Sequence, residues 1–395
     1  MPSLERVKNI LGLQRNIGVM LGALLILGMG EELWMCFMPK YLEVLGASTV
    51  VIGAYGALKD LLDALYPYPG GWLTDRLGSK RALILFALVA AVGYVIYLFG
   101  PSWEWVLVGT VFVMAWSSFT VPTVFAIIGD NLPSSSRAIG FGVQSILRRV
   151  PILIAPLAGG ALIAAYGLVN SIRFGLAITI ILSIATALFV WRFYHERRAA
   201  PVDSHRIHTV WRVLDPALKR LLLSDILVRW AEGLPKVLLI LYVMNELHFS
   251  ALDFGILTSI QYAVSILVYI PIAKMSDRMN RKPFVLLTFA FFVAFPLMLI
   301  NAHGFPMLVA AFVVAGLREI GEPARKALIV DLATQSMIGR SVGMYYLARG
   351  IGVFPAALVG GWLWTLHPAA PFYTAGAVGL LGLLLYAAAP RVANR

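Results

Sequence analysis

One cysteine, Cys36, in 395 residues leaves no partner for an intramolecular disulfide and no cysteine cluster for a metal. Charge is scarce as well: 13% of the residues are Asp, Glu, Lys or Arg, against about 25% in an ordinary soluble domain. There is no G-x-x-x-x-G-K-[ST] loop to cradle a nucleotide phosphate, no H-E-x-x-H to pair histidines on zinc, and no G-x-S-x-G to present a serine. These gaps argue against an ATP-driven pump, a membrane protease or any other enzyme, and nothing in the chain asks for a metal or a cofactor. No small-residue cleavage site follows the first apolar run, so no cleavable signal peptide is evident.

What the chain has instead is apolar length. Hydrophobic residues make up 60% of it, and the mean hydropathy is +0.83. Runs of about 20 apolar residues, enough for a helix to cross roughly 30 Å of hydrocarbon, recur from end to end. Twelve are expected, at about 16–38, 49–73, 82–100, 104–129, 138–164, 172–192, 218–243, 252–273, 284–302, 305–330, 341–364 and 371–389. The expected fold is therefore an all-α membrane protein of twelve transmembrane helices. A membrane barrel would show short alternating segments instead.

A net charge of +12 raises the question of nucleic acid, and its distribution answers it. With the N-terminus inside, Arg6, Lys8, Arg15, Arg76, Lys80 and Arg81 lie on the inner side. So does the cluster Arg192, Arg197, Arg198, Arg206, Arg212, Lys219 and Arg220 between spans 6 and 7, while the outer loops hold only Lys40. This is the positive-inside bias of a multi-pass protein in an inner (plasma) membrane with both termini cytosolic. The bilayer, not nucleic acid, explains the charge.

The chain also repeats itself at an offset of about 201 residues. Glu31 and Tyr41 match Glu232 and Tyr242. Pro69, Asp75 and Arg76 match Pro271, Asp277 and Arg278, and Pro122, Asp130 and Arg148 match Pro323, Asp331 and Arg349. Gly159 and Gly160 match Gly360 and Gly361, with Pro156 and Pro355 nearby but out of register. Two pseudo-symmetric six-helix halves follow, 1–194 and 218–395, joined by a polar cytosolic linker at 195–217. Such repeats are a transporter device, with the substrate held at the midplane between them.

Two stretches resemble a known family. Gly71-Trp-Leu-Thr-Asp75-Arg76-Leu-Gly78-Ser-Lys80-Arg81 resembles the G-x-L-A-D-R-x-G-R-K loop of the major facilitator superfamily, with Ser79 in place of a basic residue. A weaker copy, Asp277-Arg278-Met-Asn280-Arg281-Lys282, stands in the second half, with Asn280 for the glycine. Ala155-Pro156-Leu-Ala-Gly159-Gly160 resembles the G-P-x-x-G-G motif of the family's twelve-span proton-coupled antiporters and drug exporters. The resemblance implies alternating access between two rocking halves. It also implies a cytosolic gate at Gly71, Asp75, Arg76, Gly78, Lys80, Asp277, Arg278 and Lys282. The arginine such antiporters carry in span 4 is absent, since that span reads Trp116-Ser-Ser-Phe-Thr-Val-Pro122.

Charges inside the spans carry the chemistry. Each costs roughly 2.5–3.5 kcal/mol to insert at mid-membrane, so such residues usually line a water-filled path. Spans 1, 2, 5, 7, 10 and 11 contain them; spans 3, 6, 9 and 12 do not and are expected to face lipid. A carboxyl in a poorly solvated cavity holds its proton more tightly, and a neighbouring arginine loosens it. Glu31, Glu32 and Glu232 are the expected proton carriers, with Asp63 and Glu322 behind them. Arg148 and Arg349, matched in the repeat, are expected to clamp an anionic group through the planar guanidinium fork. Arg149, Arg229, Arg318, Trp34 and Gln261 complete the expected cavity.

The expected function is secondary active transport of a small organic solute by a monomer, as proton-coupled export. A proton-driven symporter for an anionic or zwitterionic metabolite is the alternative. A lipid flippase or a non-transporting sensor is the reading from another class; the sensor would want a soluble output domain, and the flippase a lateral opening to lipid.

Overall fold

The computed structural model describes residues 15–131, 134–195, 215–278, 281–332 and 338–388. Among them there is no strand, and every expected span is helical. Span 1 runs Arg15–Glu32, turns through Met35–Phe37 and resumes at Met38–Val44. Span 2 is Thr49–Leu65 with Pro67–Leu77; spans 3 to 6 are Ser79–Phe99, Trp103–Asn131, Ser134–Tyr166 and Leu168–Phe193. Span 7 is Pro216–Lys236 with Leu239–Leu241 and Tyr242–Glu246; spans 8 and 9 are Ala251–Arg278 and Lys282–Ile300. Span 10 is Phe305–Leu317 with Glu322–Asp331, span 11 is Ile338–Val353 with Pro355–Leu366, and span 12 is Ala370–Ala387.

Five spans are broken, 1, 2, 7, 10 and 11, and in all but span 7 a proline opens the resuming helix. Pro39, Pro67, Pro323 and Pro355 occupy the first or second position of the resuming helix in spans 1, 2, 10 and 11. Proline tolerates that position because its missing N–H has no helical partner there anyway. In span 10 the break covers Arg318 to Gly321. Tighter turns bridge it, Ile320 N–H to Leu317 O at 3.1 Å and Glu322 N–H to Glu319 O at 3.2 Å. The Gly321 N–H donates to Thr288 Oγ1 of span 9 at 2.5 Å.

Nine helical stretches among the described residues are long and apolar enough to cross a membrane by themselves. Spans 2, 7 and 10 are the ones that fall short. The reason is their charge: Lys59, Asp60 and Asp63 in the first, Asp225, Arg229, Glu232 and Lys236 in the second, Arg318 to Lys326 in the third. The spans expected to face lipid do present apolar side chains outward. Leu88, Val92 and Phe99 of span 3, Ile181, Leu188 and Trp191 of span 6, and Leu381 and Leu384 of span 12 are exposed.

By packing, the described residues fall into two compact units, within Met1–Gly46 plus Leu62–Asp203 and within Ala47–Leu61 plus Ser204–Arg395. The boundary differs from the one expected from the repeat in one respect. The first stretch of span 2 packs with the second unit, where Gly53 lies against the Ala357 carbonyl and Gly56 against Val237. Lys236 Nζ of span 7 donates to Asp60 Oδ1 at 2.8 Å in the same region.

The repeat recurs as packing within each unit. A side chain at Gly159 of span 5 would collide with the Leu33 carbonyl of span 1, and one at Gly360 of span 11 with the Leu234 carbonyl of span 7. Both members of each contact are related by the same offset of about 201 residues. Small residues let helix backbones meet this closely where lipid supplies no hydrophobic drive.

Candidate functional site

The second unit holds a buried network of ionised side chains. Span 7 places Asp225, Arg229 and Glu232 at spacings of four and three, so all three share one helical face. Span 10, resuming after its break, places Glu322, Arg325 and Lys326 within one turn or so of its new start. Span 11 brings Tyr345 and Arg349 alongside.

Asp225 is the centre and is fully buried. Arg325 Nη1 donates to its Oδ1, and the Tyr345 hydroxyl donates to its Oδ2 at 2.9 Å. Arg349 Nη1 stands 3.5 Å from Oδ2, close enough for charge attraction but without hydrogen-bond geometry. Arg229 Nε lies 3.9 Å from Oδ1 and also lacks a hydrogen bond. Arg325 is itself sealed, and its Nη2 donates to Glu322 Oε2. Arg229 bridges the two carboxylates beside it, reaching Glu232 at 2.7 Å and Glu322 at 3.3 Å. Lys326 adds a looser contact to Glu322 at 3.5 Å. A charge this deep survives only when paired, and each charged member here lies within 3.5 Å of an opposite charge.

Three arginines of this region also lie over aromatic rings. The Arg229 guanidinium is 5.2 Å from the Phe292 centroid, and Arg318 lies 5.0 Å from Phe292 and 4.8 Å from Phe295. Arg349 stacks on Tyr346 at 4.6 Å. Such contacts fix the plane of a guanidinium without neutralising it.

The first unit is built differently. At the positions matching Asp225, Arg229, Arg325 and Tyr345 stand Leu24, Gly28, Val124 and Gln144. The carboxylate it does bury is Glu31, which accepts a short hydrogen bond from the Tyr94 hydroxyl at 2.5 Å. Glu32 is half-buried beside it. Asp63, exposed, accepts from Ser118 Oγ at 2.9 Å.

Several expected site residues fall elsewhere. Trp34, expected in a cavity, is 1% exposed; its Nε1 donates to Thr179 Oγ1 at 2.9 Å, and Tyr94 and Tyr97 pack edge-on against it. It is a packing centre of the first unit, because its large ring fills the space that Gly175 leaves on span 6. Arg148 and Arg349, expected as a matched pair, have unlike surroundings. Arg349 joins the network, whereas Arg148 is exposed with no hydrogen-bond or ion-pair partner among the described residues. The physical reason is Asp225, whose counterpart Leu24 gives Arg148 nothing to pair with. Arg149 and Gln261 are half-buried, and the Gln261 backbone carbonyl packs against Gly316 of span 10.

Around the expected gate, Gly78 has φ +83°, a backbone that favours glycine, and it turns the chain from span 2 into span 3. Asp75 and Arg76 are exposed, Arg76 lying 5.2 Å over the Trp72 ring, and Lys80 sits in the first turn of span 3. Gly71 faces Pro122 of span 4, and Thr74 exchanges a hydroxyl hydrogen bond with Thr123 at 2.6 Å. Lys282 Nζ donates to the Ala387 carbonyl at 3.1 Å. The side chains of Asp277 and Arg278 lie outside the described residues.

The sequence did not single out Asp225, Arg325 and Tyr345 as the core of the network. The spacing along span 7 was there to be read, but their convergence depends on how spans 7, 10 and 11 pack. Among the described residues no group of three His, Cys, Asp or Glu side chains is arranged to hold a metal.

Comparison with known proteins fits this architecture. The chain is 22% identical over 378 residues to multidrug resistance protein 2 of Bacillus subtilis strain 168, covering 92% of each chain. It is 24% identical over 363 residues to the multidrug resistance protein MdtG of Escherichia coli O9:H4 strain HS, covering 88% of this chain and 87% of the relative. In structure it is similar to the nucleoside transporter NupG, with a TM-score of 0.79 at 13% identity, covering 96% of this chain and 99% of that one. The human organic anion transporter MFSD10 superposes with a TM-score of 0.65 at 17% identity, covering 94% and 99%. The sequence profile of the Major Facilitator Superfamily matches residues 20–231 and again 221–395, one match for each six-span repeat. The chain belongs to the major facilitator superfamily and is a multi-pass membrane transport protein, not an enzyme.

Proposed function

We propose that this transporter exports a small organic compound in exchange for protons across the inner membrane, with both termini in the cytosol. The observation that carries proton coupling is Glu31. It is a carboxyl buried in the first unit, held by the neutral hydroxyl of Tyr94, at the point where span 1 breaks after Glu32. A carboxyl buried at a break in a membrane helix is rarely kept without a use, and proton transfer is the chemistry a carboxyl offers there. Glu232 and Glu322, the other carriers expected from sequence, are engaged by Arg229 and Arg325 and are better suited to holding the second unit together. Glu31 is therefore the residue that binds and releases the proton in this reading. The names of the multidrug resistance relatives favour export over import.

Proteoliposomes test the proposal. Accumulation of ethidium and of carboxyfluorescein is followed with and without an imposed pH gradient. The expected result is that at least one of the two accumulates only when the gradient is present. Glu31→Gln, a mimic of the protonated carboxyl, removes that response while leaving exchange at equal pH partly intact. Accumulation by Glu31→Gln equal to wild type would place the coupling proton elsewhere. Indifference of both probes to the gradient would remove proton-coupled export itself.

A further inference from the structure

The arginines of the second unit are not equally occupied. Arg325 is consumed by Asp225 and Glu322, and Arg229 by Glu232 and Glu322. Arg318 differs. Its Nε donates to the Ala315 carbonyl at 3.0 Å, which leaves Nη1 and Nη2 with no hydrogen-bond partner among the described residues. Those two nitrogens are not sealed from solvent either. Glu232, the carboxylate that shares its field, hydrogen-bonds Arg229 instead.

The surroundings hold this guanidinium still. Phe292 and Phe295, three residues apart on span 9, place their rings 5.0 and 4.8 Å from it. The backbone is opened at the same place, since the helix of span 10 ends at Leu317 and resumes at Glu322. The repeat adds a contrast. The matching position in span 4 is Ser117, inside the unbroken helix Trp103–Asn131.

We infer that Arg318 is the recognition residue for a carboxylate-bearing solute, which takes both oxygens onto the free Nη1–Nη2 edge while Phe292 and Phe295 fix the guanidinium plane. A planar two-oxygen anion matches that fork. This inference rests on the transport function proposed above and narrows its substrate class. Arg349, named from sequence for the same task, is held back by Asp225.

Chemical modification tests it without a flux assay. Phenylglyoxal, which needs two free guanidinium nitrogens, is applied to the intact transporter in nanodiscs, and each arginine is followed by peptide mass spectrometry. Arg318 is expected to react at least about tenfold faster than Arg325, since a sealed side chain reacts only through local opening. Sodium benzoate slows Arg318 and leaves the exposed Arg76 unchanged, whereas benzamide slows neither. A second measurement is the benzoate-induced rise in melting temperature. Arg318→Lys keeps the charge but loses the fork, and weakens the apparent benzoate Kd by about tenfold, a difference of about 1.4 kcal/mol. Reaction of Arg318 no faster than Arg325, or protection by benzoate and benzamide alike, overturns the inference. So does an unchanged Kd in Arg318→Lys. None of these readouts depends on a pH gradient, so failure here leaves proton coupling untouched, and failure there leaves Arg318 untouched.

Discussion

At the scale of single residues, the second unit depends on Asp225. It is fully buried, and Arg325, Tyr345, Arg349 and Arg229 are arranged around its two oxygens. Removing one partner of a buried ion pair costs about 3–5 kcal/mol, because the other charge stays behind unpaired. Asp225→Asn is therefore expected to lower the melting temperature of the purified protein sharply, through the stranded Arg325. Asp225→Leu combined with Arg325→Met removes both charges and should recover much of the loss. Melting curves of the single and double variants check this; a double variant no more stable than the singles would show that the network is held by something other than this pair.

At the scale of elements, two glycines fix how spans 5 and 11 meet spans 1 and 7. Gly159 touches the Leu33 carbonyl, and Gly360 touches the Leu234 carbonyl, which are equivalent contacts in the two repeats. A methyl group at either place meets backbone, which does not move aside as a side-chain tip does. Gly159→Ala and Gly360→Ala are each expected to destabilise the protein by about 1–3 kcal/mol through overpacking. Thermal unfolding in detergent measures the cost, and unchanged melting in both would mean that the helices separate without penalty. Pro156 and Pro355 near the two contacts do not behave alike. Pro156 lies inside the continuous helix Ser134–Tyr166, while Pro355 begins a new helix after Val353. Proline breaks a helix only where the surrounding packing also permits the break.

At the scale of the molecule, the first stretch of span 2 belongs to one repeat by sequence and packs with the other. Lys236–Asp60 at 2.8 Å and the contact of Gly53 with the Ala357 carbonyl bind it to spans 7 and 11. A transporter that alternates access must release such contacts in each cycle. Asp60→Lys and Lys236→Asp are each expected to slow flux, and the charge-swapped double variant to restore it in large part. Flux in the double variant no better than in the singles would show that the two residues act separately. The Lys236 side chain is half exposed, at 53%, so the pair supplies little stability by itself, and its effect belongs in the transport rate.

The twelve spans, the two repeats and the loop after span 2 were legible in the sequence because each is a local property. An apolar run of about 20 residues has few other fates than a membrane helix, and a repeat offset needs no coordinates to be seen. The charged faces of spans 7 and 10 were legible too, since helical spacing fixes which residues share a face. What those faces meet was not. Arg148 and Arg349 look equivalent along the chain, yet only Arg349 finds an aspartate, because Asp225 has no counterpart in span 1. Trp34 reads as a cavity ring and is a packing centre, because Gly175 and Thr179 of span 6 close around it. Arg318 and Arg325 stand seven residues apart on one span, and the break between them leaves one guanidinium open and the other sealed. Partner choice among buried charges is decided by distances of a few ångströms between helices far apart in sequence, and only the packed molecule sets those distances.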